Sequence, residues 1–79
     1  MNQQTTYKTL KQVKAGESVR VVRVAGEGAL RQRILDMGLT KGAEVTVRKV
    51  APLGDPLELT VRGYELSLSK REAASIVVE

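Results

Sequence analysis

The sequence has no cysteine, histidine, tryptophan or phenylalanine, and it holds only two prolines and two tyrosines. Without cysteine, no disulfide can restrict the unfolded chain and no thiolate can ligate a metal. Without histidine as well, zinc and ferrous iron lose the ligands they favour. An oxygen-only calcium site needs a clustered acidic loop, and Gly54-Asp55-Pro56 with Glu58 is too sparse to make one. Catalysis meets the same objection, because it needs a nucleophile beside a base, or a matched acid and base within hydrogen-bond reach. The nine acidic residues are dispersed along the chain and no pair of them forms an obvious shared site. Neither an enzyme nor a cofactor-binding protein is expected.

Long apolar runs are missing too. None approaches the roughly 18 residues that a membrane-spanning helix needs. The first six residues, Met1 to Thr6, are polar and lack the apolar stretch of a secretory signal. They are expected to form a disordered lead, with one domain over residues 7–79 and a cytoplasmic location. A chain of 79 residues buries only about 60–65% of the surface its unfolded state exposes, so an internal cavity for a sizeable ligand is not expected.

Net charge is +4, which raises nucleic acid or an anionic surface as a partner. The basic residues are interleaved with acids, however: Arg31 and Arg33 precede Asp36, and Lys70 and Arg71 precede Glu72. With Tyr7 and Tyr64 as its only aromatics, the chain has no platform on which bases could stack. A small basic barrel that binds nucleic acid is therefore the minor alternative.

What is present is a series of short β-branched runs. Val19, Val21, Val22 and Val24 mark a strand over Ser18–Ala25, and its alternation slips between Val21 and Val22, which predicts a bulge. Ala43–Lys49 and Leu57–Arg62 alternate cleanly, Tyr64–Leu68 returns after a tight turn that uses Gly63, and Ile76–Val78 makes a last strand. Between the first two strands the period changes. Leu30, Ile34 and Met37 fall on one helical face, and Gly38 sits where a helix ends in the left-handed conformation, with Leu39 placed to touch Ile34 across the cap. Thr9 can start a helical turn that points Leu10 and Val13 at the core. Ser69-Lys-Arg-Glu72 has the spacing of a capping box that opens one or two more turns. Five short strands on so small a core cannot make a sandwich. A mainly β, SH3-like barrel with one inserted short helix is the economical architecture.

Gly26-Glu-Gly28 before the helix lacks the spacing of a phosphate-binding loop and marks a strand-to-helix turn. Two assignments are open for Met37 and Leu39. Either they close the core, or they form an apolar docking patch bordered by Arg31, Arg33 and Lys41, since flexible methionine beside basic residues suits a protein contact. On the docking assignment, truncating Leu39 abolishes binding and leaves the fold intact. A partly open barrel also leaves an edge for self-assembly, with Ile76–Val78 as the candidate edge strand.

The run from Gly26 to Val45, Gly-Glu-Gly-Ala-Leu-Arg-Gln-Arg-Ile-Leu-Asp-Met-Gly-Leu-Thr-Lys-Gly-Ala-Glu-Val, strongly resembles the signature of FeoA proteins. Ala51-Pro-Leu-Gly-Asp-Pro-Leu-Glu-Leu and Val61-Arg-Gly-Tyr-Glu-Leu-Ser-Leu look like the same family's loop and hairpin, so the resemblance covers residues 7–79. The family usually has proline where this chain has Lys41, and the polar lead is longer than in many relatives. The resemblance implies an SH3-like barrel and a role in ferrous iron uptake through contact with the transporter FeoB, whose cytosolic amino-terminal part binds GTP. It also implies recruitment to the inner face of the membrane by that partner. The surface expected to carry the contact is Met37, Leu39 and Lys41 with Arg31 and Arg33. An arginine-finger role for Arg31 or Arg33 in GTP hydrolysis is a lesser expectation.

Overall fold

Alternating valines and leucines make strands of most of the chain, and where those strands exchange neighbours decides the architecture. The computed structural model describes residues 7–79, so the expectation for residues 1–6 lies outside the described residues. Six antiparallel strands are present: β1 Lys8–Thr9, β2 Ser18–Val24, β3 Glu44–Val50, β4 Leu57–Val61, β5 Tyr64–Leu68 and β6 Ile76–Val78. They join in the order β1-β6-β2-β3-β4-β5.

Strand β2 is the corner of the barrel. Its first half, Ser18–Arg20, pairs with β3, while its second half, Val21–Val24, pairs with β6. The register shifts between Val21 and Arg23, which is the bulge that the broken valine alternation predicts. The extra residue lets Val19, Val21 and Val24 all face the core although their spacing is uneven. A second irregularity, between Val47 and Lys49, bends β3 against β4 in the same way.

The structure has one strand more than expected. Lys8 and Thr9 pair with Val78 and Val77, so β6 lies between β1 and β2 and is not an edge. The expectation of self-assembly through Ile76–Val78 is therefore overturned: two polar residues, with no run of their own to signal a strand, cap that edge. After β1 a 3₁₀ turn, Leu10–Gln12, sends Leu10 and Val13 into the core as the spacing predicts. The open side between β1 and β5 is filled by helix α2, Lys70–Ala73, which packs against this turn and against β5.

Helix α1 spans Gly28–Asp36, and Met37 is its carboxyl cap. It ends as expected: Gly38 has φ +94° and its N–H reaches the Leu35 carbonyl at 3.0 Å. Leu39 and Ile34 then belong to one core cluster with Val45, Val47, Leu59, Val61 and Ile76. Leu39 is 0% exposed. This corrects the docking assignment for Leu39: the chain leaving the helix turns inward at the left-handed glycine and drives this side chain into the barrel. No surface can include it.

Candidate docking surface

Helical geometry sorts the remaining site residues. At about 100° per residue, positions 30, 33 and 37 share a stripe and position 31 lies well to its side. Leu30 and Met37 are partly buried against the core, while Arg33 stands exposed between them. Lys41 is exposed in the turn beyond. Arg31 belongs elsewhere: its Nε donates to the Val24 carbonyl at 3.3 Å, tying the helix back to the end of β2. The two arginines that the sequence pairs are thus separated, and each is engaged within the fold.

The engagement of Arg33 follows from α2. Ser69 and Glu72 form the expected capping box, with the Glu72 N–H donating to Ser69 Oγ at 3.1 Å and the Ser69 N–H to Glu72 Oε1 at 3.0 Å. That arrangement fixes the buried Glu72 carboxylate, whose other oxygen meets an Arg33 guanidinium nitrogen at 3.3 Å. Burying a carboxylate is costly unless its oxygens are partnered, so Arg33 holds α1 and α2 together. A groove of about 410 Å³ lies between the two helices, lined by Leu30, Arg33, Ser69, Arg71 and Glu72. A smaller one of about 230 Å³ is lined by Ser18, Val19, Arg20, Glu44 and Glu79.

Two residues were not singled out by their sequence context. Arg62 occupies the β4–β5 turn with φ +52°, beside Gly63 at φ +85°. Two successive positive values make the mirror-image turn that matches strand twist, and Asn or Gly is the usual signal for its first position. From there Arg62 Nε donates to the Gly38 carbonyl at 3.3 Å and its Nη2 to Thr40 Oγ1 at 3.1 Å. It pins the segment between Met37 and Lys41 from outside. Leu53, in the turn Pro52–Gly54 between β3 and β4, has φ +73° and is 93% exposed. By sequence it stands in a Pro-Leu-Gly loop, and the backbone path turns its apolar side chain outward.

Among the described residues, no three Asp, Glu, His or Cys side chains are grouped to hold a metal ion. Glu17, before β2, accepts a 2.9 Å hydrogen bond from the Lys14 backbone N–H. That bond, with Lys8 and Lys14 nearby, holds its carboxyl below the ordinary value. The described residues contain no helix long and apolar enough to cross a membrane.

Comparison with known proteins agrees with this architecture. The family model described as the FeoA domain matches residues 8–79. The Fe(2+) transport protein A/Fe(2+) transporter FeoB fusion protein of Porphyromonas gingivalis is 41% identical over 70 residues. That match takes in 89% of this chain but only 8% of the length of the curated relative. The NMR structure of a FeoA-like protein from Clostridium acetobutylicum has 41% identity and a TM-score of 0.87, covering 96% of this chain and 88% of that one. Stenotrophomonas maltophilia FeoA, crystallised with zinc and described as a prokaryotic SH3 domain protein, has 29% identity and a TM-score of 0.81, covering 90% of this chain and 88% of its own.

Proposed function

Because the chain belongs to the FeoA family, we propose that it serves ferrous iron uptake as a non-catalytic partner of a FeoB-type transporter. The observation that carries this is the Porphyromonas gingivalis relative, whose name joins Fe(2+) transport protein A and the transporter FeoB in one polypeptide. Fusion keeps two modules together at high effective concentration, which is useful when separate copies must otherwise find each other. The docking surface in this reading is the stripe of α1 that carries exposed Arg33 and ends at half-buried Met37, continued by Lys41 and stiffened by Arg62. Basic groups beside a partly covered methionine suit a protein surface that carries acidic residues. Arg33 acts here through the α1–α2 junction as much as through its charge, and the finger role for Arg31 loses support because its guanidinium is tied to Val24.

The test is capture of full-length FeoB, and separately of its GTP-binding part, by purified protein in the presence of GDP or a non-hydrolysable GTP analogue. Lys41→Glu, at an exposed position in the turn after α1, is expected to weaken capture about tenfold or more while circular dichroism stays unchanged. Dependence on nucleotide would assign the contact to the GTPase cycle. Capture of nucleic acid instead, falling steeply with salt, would overturn the reading.

A further inference from the structure

Leu53 is the residue that the fold explains least. The residue is 93% exposed, and its backbone lies at φ +73°, ψ +8°, where an L-residue with a Cβ is strained and Gly or Asn is at ease. The loop holds it there firmly. Gly54 N–H donates to the Ala51 carbonyl at 2.8 Å and Ala51 N–H to the Pro56 carbonyl at 3.1 Å. Asp55 Oδ1 accepts from the Lys70 N–H at 3.0 Å, which fastens the loop to the start of α2. The chain thus keeps an apolar side chain extended into water on a fixed, strained backbone, and no packing within the fold rewards it.

We propose that Leu53 is a preorganised anchor that enters an apolar socket on a folded partner protein. This rests on the reading above and names a second contact of the same docking surface. Three observations choose the occupant. First, positive and negative residues around the loop are matched in number: Arg48 meets Glu65 at 3.5 Å, Lys49 stands opposite Glu58 in the β3–β4 register, and Lys70 lies beside Asp55, whose carboxylate accepts from its backbone N–H. An anionic membrane draws segments with excess positive charge, and this one has none to offer. Second, the two grooves described above are lined mainly by charged and polar side chains, so a second copy presents no apolar socket in either. Third, the loop is continuous with α1 through α2, by the Asp55–Lys70 and Glu72–Arg33 links, so one partner can span both. A side chain already fixed in its bound position loses little entropy on docking, which suits a hot-spot residue.

The experiment measures affinity for full-length FeoB in nanodiscs, with empty nanodiscs containing phosphatidylserine as the control, alongside the Tm of each variant. Leu53→Met is expected to bind within about threefold of the native chain, and Leu53→Ala about tenfold or more weakly at unchanged Tm. Leu53→Asn is expected to bind as poorly as Leu53→Ala while its Tm is equal or higher, because asparagine tolerates the left-handed conformation. Native affinity in Leu53→Ala, with FeoB still bound, overturns this inference and leaves the docking reading standing. Binding to empty phosphatidylserine nanodiscs that depends on Leu53 overturns it in favour of a lipid contact. No binding of the native chain to FeoB overturns the docking reading and this inference together.

Discussion

Leu39 and Met37 flank the same glycine, yet the fold treats them differently. Leu39 is wholly buried in the core cluster that includes the valines and leucines of β3 and β4, whereas Met37 rests on the core with part of its surface in water. Leu39→Ala should therefore cost about 2–5 kcal/mol, the sum of lost burial and a cavity the barrel cannot collapse into. In a domain of this size that lowers Tm by roughly 10 °C or more, and thermal denaturation would reveal it. A Leu39→Ala protein that melts with the native chain would contradict the buried position. The glycine between them is suited to its place because its backbone lies at φ +94°, a conformation that side chains with a Cβ rarely adopt. Arg62 holds the turn by two hydrogen bonds, to the Gly38 carbonyl and to Thr40 Oγ1.

Among the elements, α2 has the largest effect for its length. Four residues would not hold a helix by propensity, since nucleation alone is unfavourable. The capping box supplies the first turn, burial of Ala73 supplies packing, and Glu72 then reaches Arg33. Ser69→Ala removes the acceptor for the Glu72 N–H and should destabilise the protein by about 1 kcal/mol. It should also raise amide hydrogen exchange from Lys70 to Ala74 more than elsewhere, and equal protection in both proteins would count against this account of the helix. The capping box was legible in the sequence because its two residues lie three apart and interact locally. Its consequence for Arg33 was not legible, because that contact joins residues 39 positions apart through the packing of two helices.

In the whole molecule, the barrel is protected at one edge by β1, which is only two residues long. Removing residues 1–9 should lower Tm and produce concentration-dependent association in sedimentation velocity, compared with removing residues 1–6. Loss of Lys8 and Thr9 leaves the outer side of Val77 and Val78 without hydrogen-bond partners. If the shorter chain stays monomeric and as stable as the longer one, β1 is not the guard of that edge.

Most of the fold was written in local pattern. Alternating valines make strands with one face buried, the uneven spacing of Val21, Val22 and Val24 forces a bulge, and Gly38 stops a helix that Leu30, Ile34 and Met37 orient. These outcomes depend on backbone sterics and on burial of the nearest apolar side chains, which neighbours in the chain settle among themselves. The docking surface depended on something else. Whether Leu39 faces in or out, which partner Arg31 and Arg33 each find, and whether β6 is an edge all turn on contacts between distant segments. Leu53 shows the limit most clearly: the sequence places it in a loop, and only the path of that loop, set by pairing of β3 with β4 and by Asp55 on α2, holds its side chain out in solvent. Local periodicity determines which residues can be buried, and tertiary pairing decides which of them are.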